Sequence, residues 1–319
     1  MEVLVGKKNS ISEGIRKPKK SFKLFLMLFP CLALVFIFNY MPLWGWVYAF
    51  TDYRAGMPWD KLNWVGLHNF TSMFVNPAIR MRVFQILLNT VAMAGLGILF
   101  SPLAAFFAIF LSEMPTRKYQ RVVQTATTLP HFISWVTMYS VVFFMLSNAG
   151  FVNVLLTNMG WIDSPINFLA RSDNVWITMK MYELWKGLGW SAIIYLAAIA
   201  GIDQEQYEAA MIDGANRFQK IWYITIPGLI PTFFVLLIMS IGNFLNTGME
   251  QFYVFQNAMN LERIEVLDLY VYNLGIGSKS GATNIPFSTA VGMTKSVVAL
   301  ILFSLSNLLS KKARGSSVF

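Results

Sequence analysis

The stretch Val83–Ser112, VFQILLNTVAMAGLGILFSPLAAFFAIFLS, runs for thirty positions without one Asp, Glu, Lys or Arg. A helix rises 1.5 Å per residue and the hydrocarbon core of a bilayer is about 30 Å thick, so roughly 20 apolar residues cross it. A helix in a soluble core has no need of such length without charge. Three other stretches share the property: Leu24–Thr51, Val122–Ile162 and Ile221–Met249. Of the 319 residues 56% are hydrophobic and 13% charged, about half the charged share of an ordinary soluble domain. The fold class that follows is an all-α, multi-pass membrane protein.

Six spans are expected, at about 23–45, 84–111, 122–146, 176–201, 228–249 and 287–309; Lys180, Glu183 and Lys186 intrude on the fourth and Lys295 on the sixth. The net charge of +9 is distributed around these spans. Lys7, Lys8, Arg16, Lys17, Lys19, Lys20 and Lys23 lie in the first 23 positions, Arg117, Lys118 and Arg121 lie between the second and third spans, and Lys311, Lys312 and Arg314 follow the last. Lys and Arg collect on the cytoplasmic side of membrane proteins. That rule puts both termini inside and predicts a basic tail over 1–22, a six-span domain over 23–310 and a second tail over 311–319. Basic residues that flank apolar runs do not form a nucleic-acid stripe, so no nucleic acid is expected as a partner; membrane lipid is. Cys31 is the only cysteine and the two histidines are His68 and His131, which excludes a disulfide framework and leaves no metal site. The basic N-terminus before Leu24–Phe38 has the look of a secretory signal. No small-residue cleavage site follows it, so an uncleaved first span is expected.

The inner loop 203–227 is the most informative segment. It reads Asp203-Gln204-Glu205-Gln206-Tyr207-Glu208-Ala209-Ala210-Met211-Ile212-Asp213-Gly214-Ala215 and continues to Ile226-Pro227. Asp203 suits an N-cap, with Gln206 placed to complete a capping box. Gly214 suits the end of that helix. A second helix is expected to carry Phe218, Ile221, Trp222 and Thr225 on one face and to break at Pro227 before the next span. Two short helices meeting at a glycine would make a rigid elbow on the cytoplasmic surface. In the third outer segment Leu267, Tyr270, Val271 and Leu274 recur at helical spacing before Gly275, which predicts a short amphipathic helix on the outer face.

Glu208-Ala209-Ala210, Gly214 and Ile226-Pro227 together resemble the signature loop of bacterial ABC importer permeases. The longer Glu-Ala-Ala-x-x-Asp-Gly-Ala form is similar to the carbohydrate branch, of maltose and alginate-oligosaccharide type. Leu129-Pro130-His131-Phe132-Ile133-Ser134-Trp135, Trp185-Lys186-Gly187-Leu188-Gly189-Trp190 and Asp268-Leu269-Tyr270-Val271-Tyr272 resemble an oligosaccharide subgroup, with Leu269 standing where a small residue or Thr would be expected. The resemblance implies a type I importer permease in the bacterial cell membrane that moves a sugar or oligosaccharide by alternating access. Glu208, Ala209, Ala210, Asp213, Gly214 and Ala215 would form the coupling helix that docks on an ATPase. It further implies a second permease subunit in a heterodimer, two cytoplasmic ATPase subunits that hold ATP and Mg, and an extracytoplasmic solute-binding protein. The chain has no Gly-rich phosphate loop of its own, so it is expected to be a transport subunit and not an enzyme, with no cofactor.

Sugars are held by aromatic faces and planar polar groups, and Trp135, Tyr139, Tyr182, Trp190, Asn243 and Asn246 lie on spans three to five. They are the candidate substrate path, against the plainer alternative that each packs the bundle. Glu183 and Lys186 stand three residues apart and are expected to pair; Lys295 is expected to find a partner on another helix or to snorkel. His131, beside Pro130, reads as a bend residue whose imidazole bonds nearby backbone. A permease for peptides or amino acids is the nearer alternative. A secondary transporter would need coupling carboxylates within its spans, and Glu183 is the acidic residue clearly inside one. An intramembrane enzyme would need a nucleophile–base pair or a metal motif, and neither is present.

Overall fold

A computed structural model describes residues 18–277 and 283–314; the remainder of the two predicted tails lies outside the described residues. The chain divides into two units, Met1–Val47 and Tyr48–Phe319. In the first unit, helix α1 (Pro18–Val35) runs on through a π-helical turn (Phe36–Tyr40) into a 3-10 segment that begins at Met41. Its residues from Leu24 onward are almost all exposed apolar side chains, as a helix surrounded by hydrocarbon requires.

The second unit opens with a segment that precedes its first long helix. Thr51 and Trp64 form an isolated antiparallel bridge. Asp52 accepts hydrogen bonds from the Asn63 side-chain and backbone amides, both at 2.9 Å; these hold its carboxyl below the usual carboxylate range. Helix α2 (His68–Val75) leads to α3 (Pro77–Phe100), which Asn76 caps by accepting from the amides of Ala78 and Ile79, with Pro77 in the first turn. Helix α4 (Pro102–Ser112) follows at once, because Pro102 removes one backbone donor without stopping the chain. Together Pro77–Ser112 make one apolar rod of 36 residues.

The next segment departs from the expected span at 122–146. Helix α5 (Arg117–Thr128) passes into a 3-10 turn (Leu129–Phe132), and Ser134 starts a separate helix, α6 (Trp135–Leu146), by accepting from the Thr137 amide. Helix α7 (Phe151–Asn158) completes the apolar stretch Trp135–Asn158. Pro130 and the Ser134 cap are the physical reason for the break.

Helix α8 (Val175–Ala200) is the spine of the unit and packs on α3, α4 and α5. After Gly201 the chain bends by 69° into α9 (Gln204–Ile212). Helix α10 (Arg217–Lys220) continues through a π-helical turn (Ile221–Thr225) into α11 (Ile226–Gly242), so Arg217–Gly242 is one rod of 26 residues. Pro227 therefore does not break the chain as expected. It lies just after the π-helical turn Ile221–Thr225, and the helix runs on through it.

Beyond α11, the short helices α12 (Glu250–Phe255), α13 (Leu261–Ile264) and α14 (Leu267–Gly275) precede the last rod, α15 (Ile285–Arg314). Among the described residues five stretches are long and apolar enough to span a membrane, and a sixth if α8 and α9 are counted as one bent span.

Helix α14 exists as expected, and its residues Leu267, Leu269 and Tyr270 are buried within the chain. Leu267 and Tyr270 are buried with Ala49, Met73, Ile86 and Phe287, and Val271 and Leu274 pack on the same group. Leu269, on the opposite side, is fully buried in a second cluster with Met93, Met179 and Phe252. A helix wedged between two apolar clusters needs a large side chain there, which explains the departure at Leu269. Several of the polar groups between these elements are paired. Asn89 donates to the carbonyls of Glu262 and Glu265 at 2.8 and 2.9 Å, Arg82 pairs with buried Glu265 at 3.0 Å, and Gln251 donates to the Met179 carbonyl at 2.6 Å. Each bond spares a buried group the cost of lost hydration.

Candidate functional site

A cavity of about 600 Å³ opens beside α8, with further walls from α3, α4 and α11. Trp190, Asn243 and Asn246 of the sequence-derived path line it. Tyr182 lines a second, smaller cavity of about 240 Å³ instead. Trp135 and Tyr139 line neither: Tyr139 meets Phe255 edge-on at 5.2 Å, and Trp135 lies 5.4 Å beneath the Lys186 ammonium. The six residues are thus split between a cavity wall and core packing.

The charges in α8 pair differently from the sequence expectation. Glu183 bonds Lys180, Nζ to Oε1 at 3.0 Å, and not Lys186. Both lysines stand three residues from Glu183, so local spacing does not choose between them. The choice is tertiary, because Lys186 donates to the His131 carbonyl at 2.6 Å. Lys180 and Glu183 both line the larger cavity, a role the sequence reading did not assign them. Lys295 does find a partner on another helix: it pairs with Asp268 of α14, whose other oxygen accepts from the Gly248 amide at 3.2 Å.

Two of the sequence stretches, Leu129–Trp135 and Trp185–Trp190, turn out to be the halves of one joint. Trp190 stacks on His131 with ring centres 4.5 Å apart and planes 3° from parallel, while Phe132 meets Trp190 edge-on. The His131 ring stacks, and its carbonyl is the group that accepts a hydrogen bond; the expected imidazole–backbone bond is replaced by that pair of contacts. Gly189 lies directly on the backbone of Thr127, where an added Cβ would sit 2.3 Å from the carbonyl oxygen. The joint therefore fixes the α5–α6 break against the part of α8 that lines the cavity.

At its other end α8 delivers the chain to the elbow. The Asp203 side chain accepts from the Glu205 amide at 3.0 Å and caps α9. The reciprocal capping box forms not here but at Asn216 and Gln219, which bond each other's backbone amides at 2.9 and 2.7 Å. Helix α9 ends in a Schellman motif: the Ala215 amide reaches the Ala210 carbonyl at 2.9 Å and the Gly214 amide the Met211 carbonyl at 3.2 Å. This requires Gly214 in the left-handed region, at φ +79°, where glycine has no Cβ penalty. The Tyr207 hydroxyl bonds that of buried Thr225 at 2.9 Å, bracing α9 against the root of α11. Glu208, Ala209, Asp213 and Gly214 remain exposed, Ala210 and Ala215 half-buried, with Ile212 and Phe218 exposed alongside them. The elbow is rigid within and bare outside.

Residues 97–315 match the family described as binding-protein-dependent transport system inner membrane component. The chain is 40% identical over 303 residues to protein LplB of Bacillus subtilis (strain 168), covering 94% of this chain and 92% of that protein. It is 38% identical over 291 residues to the polygalacturonan/rhamnogalacturonan transport system permease protein YteP of the same organism, covering 91% and 88%. Its fold is similar to a chain of a bacterial alginate ABC transporter solved in complex with an alginate pentasaccharide-bound periplasmic protein. That likeness has a TM-score of 0.81 at 31% identity, over 94% of this chain and 98% of that one.

Proposed function

The chain belongs to the family of binding-protein-dependent transport system inner membrane components, and from that premise we propose that it is the membrane subunit through which an ATP-driven importer moves a sugar or oligosaccharide. It is a transport subunit and not an enzyme. Relatives named for polygalacturonan, rhamnogalacturonan and alginate support a carbohydrate as the solute. The observation that carries the mechanism is the continuity of α8: one helix lines the cavity with Glu183 and Trp190, then turns by 69° into the helix that bears Glu208–Ala210. A push on the elbow is thereby a torque on the cavity wall, and rigid-body rocking of such elements is a known way to exchange two access states.

In this reading Glu208, Ala209, Ala210, Asp213, Gly214 and Ala215 dock in a groove of a cytoplasmic ATPase. Two ATPase subunits bind ATP and Mg, a second permease completes the pathway, and a solute-binding protein delivers the sugar from outside. Both termini and the elbow face the cytoplasm. Trp190, Asn243 and Asn246 contribute to the sugar path directly, while Trp135, Tyr139 and Tyr182 shape its walls. The test is charge reversal on the exposed docking face: Glu208→Arg is expected to abolish ATP-dependent uptake while the protein stays in the membrane at normal level. Uptake at the normal rate in that variant refutes the coupling role.

A further inference from the structure

The charges that this chain turns toward the cavity carry information on the substrate. Lys180 and Glu183 are the charged residues among the described ones that line it. They are not equally presented: the Lys180 side chain is 6% exposed and that of Glu183 49%. Gly97 lies beside the ammonium, since a Cβ there would meet Nζ in ordinary contact at 3.7 Å. The cation is buried, and the carboxylate it pairs with is half-exposed.

The polar neighbours point the same way. Ser240 spends its hydroxyl proton on the Leu236 carbonyl at 2.9 Å, and Asn243 directs an amide hydrogen to the Met239 carbonyl at 3.1 Å. Both residues line the cavity; the Ser240 oxygen is open to a donor, while the Asn243 oxygen already accepts from the Asn246 amide at 3.5 Å. An ionised carboxylate is acceptor-only. The more exposed of the two charges that line the cavity is therefore the Glu183 carboxylate, and the Ser240 hydroxyl and the Trp190 ring line the same cavity. Neutral sugars offer many hydroxyl donors and match that carboxylate. A uronic acid brings a further acceptor-only anion into a cleft that already carries one, where low-dielectric walls strengthen the repulsion.

Resting on the reading of the chain as a sugar permease, we propose that this cavity selects neutral oligosaccharides and disfavours uronate-bearing ones, with Glu183 as the specificity-determining acceptor and Lys180 as the positioning residue that holds it in place. The competing outcome, an acidic sugar as the preferred cargo, is decided by experiment.

The assay uses the complete importer in proteoliposomes, with neutral hexose tetrasaccharides and uronic acid tetrasaccharides of equal length as probes. The wild type is expected to favour the neutral series. Glu183→Gln keeps the shape, removes the anion and leaves the Lys180 charge uncompensated. It is expected to cut neutral uptake about tenfold and to raise the uronate-to-neutral ratio by about the same factor, with about tenfold corresponding to 1.4 kcal/mol. Lys180→Met is expected to lower neutral uptake with no gain for uronates, a difference that a purely structural role would not produce. Wild-type preference for uronates overturns the proposal, as does a Glu183→Gln ratio that does not move. If neither variant assembles, the wild-type preference decides alone. ATP-driven uptake of peptides or amino acids, with neither sugar series transported, would instead refute the sugar reading itself and this proposal with it.

Discussion

Replacing Gly214 tests the elbow most directly, because the substitution acts through the backbone alone. An added Cβ at this position meets nothing within 4 Å, so no steric clash contributes. What remains is the left-handed conformation at φ +79°, which costs an ordinary residue about 1–2 kcal/mol. The chain can accept that strain, or release it by giving up the two Schellman bonds, Ala215 to Ala210 and Gly214 to Met211, each worth roughly 0.5–1.5 kcal/mol. Either way the ordered elbow loses about 1–2 kcal/mol, a factor of roughly 5–30 in its population. Uptake of labelled oligosaccharide per unit of membrane-inserted protein is expected to fall by that factor in Gly214→Ala and further in the β-branched Gly214→Val. Gly214→Asn should stay close to wild type, because Asn tolerates the left-handed region. The spans are untouched, so the amount of protein in the membrane should not change. Normal uptake in Gly214→Val, or equal losses in the Asn and Val variants, would refute the reasoning.

Two further substitutions probe the framework that holds the site. Gly189→Ala drives a methyl group to 2.3 Å from the Thr127 carbonyl oxygen and 2.8 Å from the Thr128 amide nitrogen, both backbone atoms that cannot rotate aside. Separation of α5 from α8 should lower the thermal unfolding midpoint in detergent and weaken the His131–Trp190 stack; an unchanged midpoint would contradict the close packing. Asp268→Asn leaves Lys295, whose side chain is 14% exposed, without its counter-charge. The expected loss is about 2 kcal/mol, below the 3–5 of a fully buried broken pair, read as a lowered unfolding midpoint that the double variant Asp268→Asn with Lys295→Met recovers in part.

Much of the site was readable before any coordinates. The cap at Asp203, the glycine stop at Gly214 and the helix between them follow from short-range rules, and the structure shows each of them. The same rules failed where two local solutions were equally good. Gln206 and Gln219 could each have closed a capping box, and only Gln219 does. Lys180 and Lys186 are equivalent neighbours of Glu183, and the His131 carbonyl, 55 positions from Lys186, breaks the tie. The path residues divided for a similar reason. An aromatic side chain on a membrane helix looks the same whether it lines a cavity, as Trp190 does, or meets a core phenylalanine, as Tyr139 does.

By itself the sequence determined that the chain is apolar over membrane-spanning lengths, where its charges lie along the chain and which glycine ends the elbow helix. Those properties depend on residues within a few helical turns of each other. Tertiary structure alone decided that Leu129–Trp135 and Trp185–Trp190 form one joint, that α14 is buried on two sides, and that Lys180 is buried while its partner Glu183 is half-exposed. Each of those outcomes depends on which distant backbone atoms and side chains crowd a given position, and helical spacing carries no record of them.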